Sequence, residues 1–369
     1  MNAKECKTAV IGAGLAGCTA ALELDKKGVE VEVFEALKSG EYTRKPQLTG
    51  TAHVLSTVPK IIKPKYQMNN FTFESENNTS HFEGNKIGNI YEVCSSNGAE
   101  QMLRDELQDR GIKVNYGSPI KSRDQLKGYS HVVIADGYTS TLAKLYGMRD
   151  DKPYLTSYGL QSITRGDFEP SSAKIILNHT VAPGAYIFHI PWDEEKATTV
   201  AFAMQSQPLD IKLTREKFRK YLEKMGWSVE DEWVEYEHFY RHPRYQRDNV
   251  YLVGAAGSFT CEFMGFGLYY TIESGIACAQ SIATGEKYED VLWRNVLSHL
   301  NVYRKMAPLM RNAGPKTHDY MVKVMGNFLA KYLVENGKHV FKIIDPLYPF
   351  VMAGGKMVSG LHALFLKGK

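Results

Sequence analysis

Apolar residues fall along this chain in short runs, most of them stopped by glycine or an acidic residue. Lys7–Ile11 read as a short buried strand. Gly12-Ala13-Gly14-Leu15-Ala16-Gly17 follows, and Ala20, Ala21, Leu22 and Leu24 continue as a helix. After Gly28, Val29–Phe34 alternate as a second strand that ends at Glu35. His131–Ala135 is a further apolar strand, closed by Asp136-Gly137. Asn249–Val253 is another, leading into Gly254-Ala255-Ala256-Gly257. Gly265-Phe266-Gly267 then opens a helix through Ile272, Gly275, Ala277, Ala279 and Ile282. Residues 61–90 and 151–244 are richer in strand-like alternation, as at Lys174–Leu177 and Thr198–Met204. From residue 291 the pattern is helical, broken at Gly314-Pro315, Gly337, Pro346 and Gly354-Gly355.

The first of these pieces place G-x-G-x-x-G in a strand–turn–helix–strand setting, with an acid 23 residues after Gly12. Each part has a mechanical reason. Gly12 permits the tight turn, Gly14 lets a pyrophosphate approach the backbone, and Gly17 lets the helix pack closely on the strand. The helix N-terminus offers free N–H groups and partial positive charge to phosphates. The Glu35 carboxylate can accept from the adenosine ribose hydroxyls and would repel a 2′-phosphate. The motif by itself fits FAD or NAD equally. The glycine-flanked helix start at Gly265–Gly267 is a second anion-receptive terminus, suited to negative charge on a reduced flavin ring. Because the nucleotide-binding pieces must meet around one cofactor, they define a discontinuous Rossmann-type domain of residues 1–60, 91–150 and 245–290. Residues 61–90 and 151–244 form an inserted β-sheet substrate domain, and 291–369 a C-terminal helical region. The fold class is α/β.

The chain has 369 residues, of which 43% are hydrophobic and 23% charged, as in ordinary globular proteins. It contains no apolar run long enough to span a bilayer. Five cysteines without C-x-x-C argue against a disulfide framework or a cysteine-held metal. No metal-ligand spacing and no nucleic-acid motif is present. Met1 leads into the first strand without an apolar signal region, and the expected compartment is the cytoplasm. Net charge is +4, but residues from 301 onward carry +8 and the remainder −4. That basic segment also holds Met306, Met310, Met321, Met325, Met352 and Met357. It suits either an ordinary solvated helical face or contact with the inner, anionic face of a membrane.

The order Gly-x-Gly-x-x-Gly…Glu, Ala-Asp-Gly and Leu-Val-Gly-x-Ala…Gly-x-Gly resembles the FAD-dependent oxidoreductases that share the aromatic-hydroxylase fold. Within them, Gly265-Phe266-Gly267-Leu268-Tyr269-Tyr270-Thr271-Ile272-Glu273-Ser274-Gly275 is most similar to the geranylgeranyl reductase branch. Tyr186-Ile187-Phe188-His189-Ile190-Pro191 resembles that branch's Tyr/Phe-x-Trp-x-Phe-Pro element, which lines an isoprenoid tunnel. It is also similar to a weakened Trp-x-Trp-x-Ile-Pro of flavin halogenases. The likeness covers residues 1 to about 290. Departures are Ala255 for the usual acid, Glu262 for the usual proline, and Ser96 where an arginine is customary.

The resemblance implies FAD held by Gly12, Ala13, Gly14, Leu15, Ala16, Gly17, Glu35, Asp136, Gly254, Gly265, Phe266, Gly267 and Leu268. It implies a substrate lined by Tyr186, Phe188, Ile190 and Pro191, and reduction of C=C bonds in an isoprenoid or lipid-like molecule by hydride from flavin N5. Tyr186 and Phe188, two apart on a strand, share one face; they line a tunnel or form an aromatic core pair. There is no second G-x-G-x-x-G, so electrons come from transient NAD(P)H docking or a reduced carrier protein. Alternatives are a monooxygenase or halogenase on the same scaffold, or a non-catalytic flavin- or lipid-binding protein. His53 and His189 are candidate proton donors or structural histidines. Cys261 is a candidate redox thiol or an inert buried one. Arg44 and Lys45 are candidates for gripping phosphates.

Overall fold

The computed structural model describes residues 7–52, 58–205, 210–241, 243–263, 265 and 267–325. β1 (Thr8–Ile11) runs into α1 (Leu15–Lys26), and β2 (Val31–Phe34) returns parallel to β1. Next come β3 (Gln47–Ala52), β4 (Tyr66–Glu74), β5 (Thr79–Val93), α2 (Ala99–Asp109), β6 (Lys113–Asn115), β7 (His131–Ile134) and the short α3 (Thr141–Leu145). A run of strands follows: β8 (Leu155–Arg165), β9 (Ser172–Ile176), β10 (Tyr186–Pro191) and β11 (Lys196–Gln205). α4 (Ile211–Lys224) leads to β12 (Ser228–Phe239), β13 (Gln246–Arg247) and β14 (Val250–Leu252). The last elements are α5 (Leu268–Thr284), α6 (Tyr288–Leu292), a π-helical turn (Trp293–Leu297), α7 (Ser298–Arg311) and α8 (Pro315–Met325).

These strands form two sheets. The first has the order β13-β14-β7-β1-β2-β6 and is parallel except for the β13–β14 pair. β1 is buried at every position, as a parallel strand covered on both faces must be. α1 lies against α5, and the two approach closely because α5 carries Gly275. A Cβ there would meet Ala16 O at 2.8 Å and Ala20 N at 3.1 Å. The second sheet has the order β12-β8-β11-β10-β9-β4-β5-β3. All its pairs are antiparallel except β4–β9. β3 pairs with β5 in this sheet. The chain has thus joined the second sheet by Gln47.

α4 covers one face of the second sheet, where Phe218 and Leu222 pack on Leu160, Ile187 and Ala201. The opposite face receives α7 and α8, with Met310 and Val322 in one cluster with Tyr186 and Ile190. Asp319 on α8 fastens the contact by accepting from Ser75 Oγ (2.6 Å) and Asn77 Nδ2 (2.8 Å). The basic, Met-rich segment beyond residue 325 lies outside the described residues, as do His53 and Phe266. Among the described residues no helix is long and apolar enough to cross a membrane, and no cluster of ligating side chains could hold a metal ion.

Candidate cofactor and substrate site

The glycine turn after β1 is shaped by contacts that leave no room for side chains. Gly12 has φ +108°, and a Cβ there would stand 2.4 Å from Ala135 O. A Cβ on Gly17 would stand 1.9 Å from Gly12 O. At Gly14 the nearest such contact is Glu100 Oε1 at 3.7 Å, so the backbone there is open to a ligand. Gly14 caps α1 without a side-chain hydrogen bond, and no acid occupies the first turn. The N–H groups of that turn therefore remain for an anion.

Glu35, 8% exposed, closes the turn from the end of β2. Its Oε2 accepts from Ala13 N at 2.7 Å and its Oε1 from Leu37 N at 2.9 Å. Arg104 reaches the same turn from α2, donating Nε to Ala13 O (2.9 Å) and Nη1 to Glu41 O (3.0 Å). Sequence reading missed Arg104 because its target is a backbone carbonyl 91 residues away. Asp136 follows β7 next to Gly12, and its Oδ1 is buried with no hydrogen-bond partner among the described residues. Burial raises its carboxyl above the usual range. An orphaned acceptor beside a bare helix N-terminus is what a dinucleotide's hydroxyls would satisfy, and the residues present fit FAD.

The second half of the cradle is the 254–268 segment. Gly254 has φ +59°, and a Cβ would press Ala16 Cβ at 2.7 Å, so this turn sits directly on α1. Gly254 N donates to Ser274 Oγ (2.8 Å). Gly267 caps α5 without a side-chain bond, and Leu268 behind it is buried. Gly265, at φ +62°, faces β11: a Cβ would meet the Phe202 ring at 2.7 Å.

Phe202 belongs to the sheet face that roofs this loop. Register puts Glu235, Gly159, Phe202 and Tyr186 in one row across β12, β8, β11 and β10. Trp233, Gln161, Val200 and Phe188 form the next. Tyr186 stacks on Phe202 at 5.9 Å. Tyr186, Phe188 and Ile190 thus share the face toward Gly265, while Pro191 ends the strand and its carbonyl accepts from Tyr66 Oη (2.6 Å). Glu237, one row beyond Glu235, contacts Thr260 Oγ1 in the cradle segment. Burial raises the Glu237 carboxyl, against the opposing pull of Arg44.

Other candidates are placed elsewhere. His189 alternates to the opposite face, stacked on Trp227 (4.3 Å) and bonded to Thr199 Oγ1 (2.9 Å). Burial pushes it down to about 3, so it is neutral and turned away from the cradle. It is not a proton donor to this site. Cys261 is buried, and its carbonyl accepts from Gly265 N at 2.7 Å. Arg44 and Lys45 face Glu235 (3.7 Å) and Asp231 (2.6 Å) on β12. Glu262, in the usual proline's position, is buried against Arg304 Nε at 2.9 Å.

Comparison with known proteins agrees with this layout. Residues 6–169 match the pyridine nucleotide-disulphide oxidoreductase family. No curated protein matches. Among solved structures, a geranylgeranyl bacteriochlorophyll reductase-like protein from Thermoplasma acidophilum is 17% identical, with a TM-score of 0.74. The match covers 93% of this chain and 98% of that one. The p-nitrophenol 4-monooxygenase of Pseudomonas putida is 14% identical, TM-score 0.65, covering 90% and 97%. A point variant of HpxO from Klebsiella pneumoniae, complexed with FAD, is 13% identical, TM-score 0.63, covering 91% and 98%. The chain has the fold of the FAD-dependent oxidoreductase superfamily. These likenesses support FAD as the dinucleotide of the cradle.

Proposed function

We propose that this protein is an FAD-dependent reductase that saturates a C=C bond of an isoprenoid or lipid-like substrate. The observation that carries the reading is the aromatic and aliphatic roof of Tyr186, Phe188, Ile190 and Phe202, set directly on the flavin loop at Gly265. An isolated alkene has no polar handle, so its placement depends on such an apolar surface. The similarity to a geranylgeranyl bacteriochlorophyll reductase-like protein points the same way.

Bound FAD would supply hydride to one alkene carbon. The chain's own residues do the rest. Gly12, Gly14 and Gly17 would let the pyrophosphate sit on α1, Glu35 and Asp136 would take sugar hydroxyls, and the N-terminus of α5 at Gly267 would offer its N–H groups to the ring. Glu237 keeps a proton above the ordinary glutamate range and faces the cradle, and we assign it the proton that completes the other carbon. The electron donor is NAD(P)H or a reduced carrier.

The test is anaerobic. Dithionite-reduced, FAD-loaded protein is mixed with geranylgeraniol, and flavin reoxidation and product mass are followed. Stoichiometric reoxidation with gain of two hydrogens per bond supports the reading. Reoxidation only on admitting oxygen, with an oxygenated product, would assign the protein to the monooxygenases instead.

A further inference from the structure

The roof is not uniformly apolar, and its polar half contains one group with nothing to bind. Gln161 is 7% exposed, and its Oε1 is buried with no hydrogen-bond partner among the described residues. Register places it on the Tyr186 face, between Trp233 and Val200, with Phe188 beyond. Its neighbour along the strand on that face is Gly159. A Cβ there would lie 3.2 Å from Gln161 Nε2 and 3.8 Å from Phe202 Cδ2. Glycine thus lets the carboxamide lie along the roof toward Phe202, the ring that touches Gly265. The nearby polar groups are committed to each other: Trp233 Nε1 donates to Glu235 Oε1 (3.1 Å), and Arg44 approaches Glu235 Oε2 (3.7 Å). A buried carbonyl left unpaired is costly, and a ligand that donates to it recovers that cost.

We infer that Gln161 is a specificity-determining residue that accepts a hydrogen bond from an O–H or N–H group on the substrate. Resting on the reading above, this narrows the substrate to an amphiphile: its donor-bearing end lies at Gln161 and its apolar body along Phe188 and Tyr186. A pure hydrocarbon, or an ether in place of the donor, leaves the carbonyl unpaired.

The experiment uses the full, FAD-loaded chain and two probe pairs, geranylgeraniol with its methyl ether and para-cresol with its methyl ether. Binding is read from perturbation of the flavin spectrum. Wild type should bind the O–H member of a pair roughly tenfold more tightly. Gln161→Leu, close in size and apolar, should erase that preference while FAD content and ether affinity stay. Equal affinities in both wild-type pairs, a preference that survives in Gln161→Leu, or no spectral response to any probe overturns the inference. Discrimination in the cresol pair without geranylgeraniol binding keeps the role of Gln161 and removes the isoprenoid reading. Reoxidation of reduced flavin by geranylgeraniol and its ether at equal affinity does the reverse. The wild-type comparison stands even if the variant does not fold.

Discussion

Glu35→Gln separates the job seen in the structure, holding the turn, from the one proposed for it, taking a ribose hydroxyl. In the structure both oxygens are occupied by backbone donors, Ala13 N at 2.7 Å and Leu37 N at 2.9 Å, in a residue 8% exposed. Hydrogen bonds to an ionised group contribute about 1.5–3 kcal/mol each. Glutamine offers one carbonyl oxygen and one NH2 group, so one bond is lost outright and leaves donor facing donor. The other falls to the neutral range of about 1 kcal/mol. The apoprotein should therefore lose about 2–5 kcal/mol, read as a lower urea midpoint at unchanged slope. Ribose hydroxyls that need the remaining lone pairs would lose an ionic acceptor as well. FAD affinity should fall by about 10- to 100-fold, measured by quenching of free-FAD fluorescence on titration with apoprotein. A lower midpoint with unchanged FAD affinity would show that Glu35 only stitches the turn. If neither quantity moved, the placement of Glu35 beneath the turn would be wrong.

Three further changes test the same frame. Gly17→Ala puts a methyl 1.9 Å from Gly12 O, a backbone atom that cannot swing aside; it should cost about 3 kcal/mol or more and abolish FAD retention on gel filtration. Arg104→Met removes two charge-assisted bonds and the stacking of Arg104 over Tyr42 (5.1 Å), lowering stability by about 3 kcal/mol in urea unfolding. Glu237 has a raised carboxyl, so between the ordinary glutamate value and the raised one the folded state binds more protons than the unfolded state. Stability then declines as pH rises through that window; Glu237→Gln should flatten the decline in urea midpoints and also slow alkene reduction.

The glycine turn after β1 was legible because its demands are local. A turn that must pass under Ala135 O at positive φ takes glycine, and the acid must stand at the end of the next strand; both are visible within a few dozen residues. The roof was only half legible. The alternation of Tyr186, Phe188 and Ile190 showed a shared face, and the same alternation turns His189 away. Gln161 and Glu237 carried no local mark, since their position depends on β12, β8 and β11 pairing in one register. β12 itself, SVEDEWVEYEHF, reads as a polar strand with one face in water. Three of its acids, Glu235, Asp231 and Glu237, are instead engaged by Arg44, Lys45 and Thr260, which belong to other elements.

Those partners also explain how one sheet can present polar and apolar rows on the same side. β12 and β3 are opposite ends of the eight-stranded order, about 34 Å apart if the sheet were flat. Yet Lys45, two residues before β3 begins, reaches Asp231 on β12 at 2.6 Å, and its ammonium lies 5.0 Å from the Trp233 ring centroid. The ends can meet only if the sheet curls strongly. The exposed Lys45–Asp231 pair is worth too little to impose that curl, as surface pairs contribute about 0–1 kcal/mol. The curl follows from strand twist and from the bulges where β4 pairs with β5 and β12 with β8, and the ion pairs mark the seam. Curling turns Gln161 and Glu237 inward with Tyr186 and Phe188, so polar and apolar side chains face the same side of one surface.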